Sequence, residues 1–461
     1  MDHMNLEEIS TSLSVLPTIE WINHASYVFT YKNIRIVCDP WLDGPVFNNG
    51  WSLLSKTRFQ YDDFQEVTHI WCSHEHPDHF NVPTLTTIRP EIRSQLTFLY
   101  QSTADKLVYE FCRKLNFRKI VELENDRWLK LDSGTVLLCG THSGGDSWLY
   151  VKSPDASILN TNDCVINKQG DAEKIKAKVG DVDVLLTQFS YGNWQGNKAE
   201  RHVRKAAVRE KLEQIDLQLR VFKPKYVIPF ASFIWFSHSE NCYMNDEINK
   251  VESVYEYLLR YNAVVPLVLY PGEKWEIGAE HDSSRSIAGY KPDYAKIGDN
   301  TRLTTAPTVE SEKLFEAAEK FRKQVLERLR KNVALYPLAF YRPLKIYLTD
   351  YDQPFKFSLL RGLQRSNVSY EYNDIAISSD SLLYGFRFPF GFNTLHVNGR
   401  FEIPRHGNFR SFLTYERLGY CLNRGISVHD ILVAAVRRLL SPLRRLAHPI
   451  WLKASRTHLR T

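Results

Sequence analysis

The chain has 461 residues, 43% hydrophobic and 24% charged, which suits two or three globular domains and excludes a disordered or fibrous protein. It holds no apolar run of the roughly eighteen residues that a spanning helix needs, and its acidic start, MDHMNLEEIS, lacks a signal-peptide core, so a cytoplasmic location is expected. The formal net charge of +6 is concentrated at the end: Ile431 to Thr461 carries Arg437, Arg438, Arg444, Arg445, Lys453, Arg456 and Arg460 with no acid, the remainder sums to about −1, and no nucleic-acid partner is expected.

From about residue 17 to 160 the chain reads as short strands and turns. TIEWINHASYVFTY and KNIRIVCDPWL are apolar and β-branched, with a hairpin signal at Lys32-Asn33. EVTHIWCSHEHPDHF is a buried strand running into a loop, and QLTFLY, KIVEL, TVLLCGTHS, SWLYVKS and ASILNTNDC continue the pattern. DVDVLLTQ is a further buried strand, KAAVREKLEQIDLQLRVF an amphipathic helix, and KYVIPFASFIWF a return to strand. AVVPLVLYPGEKWEIG reads as a closing strand pair with a Pro-Gly turn. The expected organisation is an α/β sandwich over 15–275, a Ser/Asp/Gly-rich linker over 276–308, a smaller α+β domain over 309–430 and a basic tail over 431–461.

The chemistry concentrates in WCSHEHPDHF, residues 71–80. His74, His76, Asp78 and His79 form H-x-H-x-D-H on the loop after a buried strand. Crowded imidazoles and carboxylates stay unsatisfied there unless a cation organises them, and the donors suit zinc or iron. His142, Asp163 and His238 each follow another buried strand and extend the ligand set. Asp146 reads either as a turn-capping residue or as an acidic ligand replacing or joining His142, as an oxygen-activating iron pair would require.

This series resembles the metallo-β-lactamase superfamily in residue type, order and separation. The resemblance implies an αββα sandwich with two divalent metals in a cleft at one edge of the sheets. His74, His76 and His142 would hold one ion, and Asp78, His79 and His238 the other. Asp163 would bridge them, with Asp78, His79 and Asp163 carrying the catalytic step. INHASYVFTYKNIRIVCDPWL is similar to the lactonase- and phospholipase-like branch. There His24 reads as a substrate contact at the cleft mouth or as a hydrogen-bonded turn residue, and Asp39 as a group orienting a ligating imidazole.

Longer stretches, HSGGDSWLYVKSPDASILNTNDC and LEQIDLQLRVFKPKYVIPFASFIWFSHSE among them, resemble the part of the CMP-N-acetylneuraminate hydroxylase family outside its Rieske domain. This resemblance implies O₂-dependent hydroxylation of a polar sugar- or nucleotide-like small molecule at iron. The Cys/His pairs at 72/74 and 139/142 lie too far apart for one Rieske lobe. No intrinsic Rieske cluster is therefore expected, and electrons would come from a separate Rieske or ferredoxin protein. The alternative is a zinc- or manganese-dependent hydrolase of a phosphoester, lactone or amide.

Tyr191 and Trp194, in the loop FSYGNWQGNK, read as substrate-pocket or packing residues. Lys198, Arg201 and Arg204 read as a solvated helix face or as an anion holder. Ser143, Cys139 and Cys164 lack a neighbouring base and read as packing residues. The basic, amphipathic tail is expected to pack as a helix or to meet an anionic membrane or an acidic partner.

Overall fold

The computed structural model describes residues 16–142, 145–330, 340 and 342–423. Two compact units share the chain, Met1–Thr304 and Thr305–Thr461. The basic tail and Ser143 lie outside the described residues.

In the first unit the strands run in chain order as β1 (Thr18–Asn23), β2 (Ser26–Tyr31), β3 (Ile34–Cys38) and β4 (Trp51–Leu53). There follow β5 (His69–Cys72), β6 (Thr97–Gln101), β7 (Lys119–Leu123) and β8 (Trp128–Lys130). Then come β9 (Val136–Thr141), β10 (Ser147–Lys152), β11 (Ser157–Asn160) and β12 (Val184–Gln188). β13 (Tyr226–Phe230), β14 (Ile234–Phe236), β15 (Val265–Pro266) and β16 (Lys274–Glu276) complete the unit. One seven-stranded sheet has the order β16-β1-β2-β3-β5-β6-β7, the other β15-β13-β12-β11-β10-β9-β8.

Alternation along the strands makes the layers. In β2, Tyr27 and Phe29 point into the core between the sheets, where they meet Leu149, Leu159, Leu185 and Phe230 of the second sheet. Val28 points the other way, toward Leu85, Ile92 and Cys112 of the helices that cover the first sheet. Ala172, Ile175, Ile215 and Phe222 cover the second sheet from helices Gln169–Val179 and Arg201–Phe222. The architecture is the expected αββα sandwich. In each sheet, parallel pairs β3-β5-β6-β7 and β11-β12-β13 send successive strand ends to one side. Loops after those ends are where ligands bind in such folds.

Two expectations need correction. The segment 276–308 is not an extended linker: Ser283–Ala295 is a helix capped by Asp282, with Ile287, Tyr290 and Tyr294 buried. The Tyr290 hydroxyl donates to the Leu269 carbonyl at 2.8 Å and accepts from Trp21 Nε1 at 3.1 Å, so three buried apolar positions outweigh a polar composition. The supposed closing pair does not pair with itself, because β15 joins β13 and β16 joins β1, one strand to each sheet.

The second unit has strands β17 (Leu344–Leu348), β18 (Gln353–Ser358), β19 (Gly362–Arg365), β20 (Ile375–Ile377) and β21 (Phe401–Glu402), ordered β19-β18-β17-β20-β21. Phe321, Phe357, Phe386 and Phe392 form its aromatic centre with helices Ser311–Leu329, Ser379–Arg387 and Gly391–Asn398. Among the described residues, no helix is long and apolar enough to cross a membrane.

Candidate metal centre

β5 delivers the H-x-H-x-D-H loop. Its first residue, Ser73, is tied to Asp39, which follows β3: Asp39 Oδ1 accepts the Ser73 N–H at 2.7 Å and Oδ2 accepts the Ser73 hydroxyl at 2.9 Å. Asp39 is fully buried and left-handed at φ +43°, a conformation uncommon outside glycine. It also accepts from Asn162 Nδ2 and, at 2.9 Å, from His79 Nδ1. The Ser73 hydroxyl is committed to Asp39 as a donor, so it can only accept from His74 Nδ1, 2.9 Å away. In both imidazoles Nδ1 therefore holds a proton, and Nε2 is the nitrogen that a metal would take. Asp39 thus fixes the orientation of the His79 imidazole.

The Nε2 atoms face two groups of donors. His74 Nε2 lies 2.9 Å from His76 Nδ1 and 3.7 Å from Asp146 Oδ1. His79 Nε2 lies 3.2 Å from Asp78 Oδ2 and 3.3 Å from Asp163 Oδ2. His24 Nε2 reaches the same Asp78 oxygen at 3.3 Å. Donor atoms of His24, Asp78 and His79 converge within 4.8 Å of one another, as do those of His74, His79 and Asp163. The two groups overlap at His79, so neighbouring sets of donors face one another across one imidazole.

The electrostatics call for a cation. Burial works against charge on His79, yet Asp78, Asp163 and Asp39 together hold its imidazole well above the ordinary range. Asp78 is likewise desolvated, but His79 and His24 keep its carboxyl well below the usual value. Asp78 Oδ1 is buried with no hydrogen-bond partner among the described residues. Burial raises Asp146 to about 6. Buried carboxylates with an uncommitted oxygen, beside imidazoles whose Nδ1 protons are already engaged, fit divalent metal ions in the place now served by shared protons.

Residues 18–199 match the family described as Beta-lactamase superfamily domain. Residues 18–199 thus carry a domain of the β-lactamase superfamily. Over 258 residues it is 27% identical to the cytidine monophosphate-N-acetylneuraminic acid hydroxylase of Danio rerio, an overlap of 50% of this chain and 41% of that protein. The chain spans about half the length of the curated relatives it matches. Two solved structures that align with part of the chain are CmlA, a diiron β-hydroxylase from Streptomyces venezuelae, and Igni18, a metallo hydrolase from Ignicoccus hospitalis KIN4/I. CmlA aligns at TM-score 0.42 and 15% identity over 57% of this chain and 54% of its own. Igni18 aligns at 0.38 and 14% over 56% and 97%.

Against the superfamily ligand series, His74, Asp78, His79 and Asp163 fall in the converging groups, His76 lies beside His74, and two histidines fall in neither place. His142 follows β9, its Nε2 hydrogen-bonded to the Val165 carbonyl at 3.1 Å. Asp146, whose carbonyl accepts the His142 N–H at 2.8 Å across the β9–β10 turn, brings its carboxylate to 3.7 Å from His74 Nε2. His238 is buried after β14 with Nδ1 accepting the Glu240 N–H at 3.2 Å, and it stands outside both converging groups. His24 is not at a cleft mouth: it is buried on Asp78.

Tyr191, Arg204 and the two cysteines Cys139 and Cys164 are packing residues. Tyr191 is buried, its hydroxyl donating to the Met244 carbonyl, while Trp194 is half-buried in the same loop. Arg204 is fully buried and grips both oxygens of Asp246 at 2.7 and 2.8 Å and the carbonyls of Asn197 and Lys198, so it clamps that loop rather than an anion. Cys139 and Cys164 pack between the sheets, and burial pushes the Cys139 thiol to about 12.

Sequence reasoning missed Ser73, Asn162, Gln101 and Gln188. Gln101 at the end of β6 donates to the carbonyls of Ser73 and Gly145, at 2.7 and 2.6 Å, tying the two ligand-bearing loops together. The available signal was a polar residue closing an otherwise apolar strand, as in TFLYQ and VLLTQ.

Proposed function

We propose that this chain is a dinuclear-metal oxygenase that hydroxylates a polar, sugar- or nucleotide-like small molecule. One observation carries the reading: Asp146, not His142, faces His74 and His76. Two imidazoles and one carboxylate with open positions form the donor set of non-haem iron(II) oxygenases. The similarity to hydroxylases of a cytidine monophosphate sugar acid supports the substrate class.

In this reading His74, His76 and Asp146 hold one ion, His24, Asp78 and His79 the second, and Asp163 lies between. Bound there, iron would supply O₂ activation, whereas zinc or manganese would supply an activated water. Asp39 and Ser73 keep the Nδ1 protons engaged and the Nε2 atoms available, and Gln101 holds the Asp146 turn against the histidine loop. Reduction of O₂ needs electrons, which we assign to a separate Rieske or ferredoxin-type protein.

A zinc- or manganese-dependent hydrolase of a phosphoester, lactone or amide is the second reading. It is supported by Asp163, whose Oδ2, 3.3 Å from His79 Nε2 among the converging donors, suits a shared water equally well. Anaerobic purification followed by metal analysis and oxygen-uptake measurements separates the two. Two irons per chain and an O₂-sensitive visible spectrum are expected. Tightly bound zinc with no O₂ uptake under any reductant would leave the hydrolase.

A further inference from the structure

We propose that Lys211 is a positioning residue of the metal centre, acting through Gln188 to fix which oxygen Asp163 turns to the metals. The inference rests on the metal-centre reading above and extends it to a residue outside every ligand-bearing loop.

Lys211 lies half-buried on the helix Arg201–Phe222, and its Nζ donates to Gln188 Oε1. Gln188 closes β12 and is buried. Its Nε2 donates to Asp163 Oδ1 at 2.9 Å and reaches the Ala231 carbonyl at 3.4 Å. A glutamine amide carries donors at one end and an acceptor at the other, and the two ends are nearly the same shape. Reversed, Gln188 would set its oxygen against a carboxylate and a carbonyl, and its NH₂ against an ammonium. An ammonium offers only donors, so Lys211 takes Oε1 and the amide has one acceptable orientation.

The consequence falls on Asp163. Its Oδ1 is held by Gln188, while Oδ2 lies 3.3 Å from His79 Nε2 within the converging donors. A carboxylate with one oxygen fixed presents the other in a single direction. Lys211 also belongs to the electrostatics of the centre: burial lowers its pKa, while Asp163 and Asp146 favour its charge. A lysine that only satisfied a stray amide oxygen would not alter metal coordination, which makes the two roles separable.

The test is cobalt(II) titration of the metal-stripped full chain, read by visible absorption. Loss of a group that orients a ligand weakens metal binding about 10–100-fold, so Lys211→Met should bind one of two Co²⁺ ions at least about tenfold more weakly, with altered bands, while Lys211→Arg stays within about threefold. Metal-free melting temperatures of both variants should match the wild type. Gln188→Leu breaks the same link from the other end, should weaken the same ion, and carries the test where Lys211→Met fails to fold. Folded Lys211→Met or Gln188→Leu protein that binds both ions with wild-type affinity and spectrum overturns the inference alone. A wild-type chain that binds no Co²⁺ overturns the metal-centre reading and the inference with it.

Discussion

Replacing Asp39 by Ala removes the one acceptor on which the ligand loop is built. Four donors converge on that carboxylate: the Ser73 N–H and hydroxyl, the Asn162 amide and the His79 Nδ1–H. All four belong to buried residues, so water does not replace the lost partner. An orphaned buried donor costs about 1–3 kcal/mol, and with partial relaxation of the loop the total comes to about 3–5 kcal/mol, a large share of a typical 5–15 kcal/mol. Asp39→Asn keeps one acceptor oxygen and tolerates the left-handed backbone, but turns an NH₂ toward a donor, so about 1–2 kcal/mol is expected. Urea unfolding of the metal-stripped protein reads both values, with an unchanged m-value confirming the same denatured state. An Asp39→Ala protein within about 1 kcal/mol of wild type would refute the claim that this carboxylate organises the site.

Three other outcomes follow from the packing and the charges. Metal binding needs the Asp146 carboxylate ionised, and burial holds its pKa near 6, so affinity should fall as pH is lowered through 6; pH-independent affinity from 5 to 8 would contradict its place as a ligand. Arg204→Ala leaves Asp246 and two loop carbonyls without their guanidinium; a loss of about 3 kcal/mol is expected, near the low end for a broken buried pair because Asp246 keeps some contact with water, and proteolysis should open the 189–198 loop. Gly140→Ala places a methyl 2.0 Å from the Trp148 indole, which is itself buried, so soluble yield and melting temperature should drop sharply, beyond the effect of a surface Gly→Ala change.

Much of the fold was legible because its signals are local. Alternation in SYVFTY and the apolar run VLLTQ announce strands, and H-x-H-x-D-H is contiguous, so four donors sit on one loop after β5. The choice between His142 and Asp146 was not legible in the same way. The two face each other across one turn, and spacing alone does not decide which side chain turns inward; the Val165 carbonyl, supplied by a different loop, takes His142. His238 satisfied the strand-end rule, yet its ring nitrogen closes a local turn with Glu240. The helix at 283–295 was hidden by serines and a glycine, since burial of Tyr290 against Trp21 and Phe233 depends on residues far away in sequence.

The central claim is that Asp146 belongs to the metal centre and His142 does not. Metal content of the anaerobically purified wild type, His142→Ala and Asp146→Ala proteins tests it directly. The account predicts two ions per chain in the wild type, two in His142→Ala, and loss of at least one in Asp146→Ala. Retention of both ions by Asp146→Ala together with their loss from His142→Ala would contradict it.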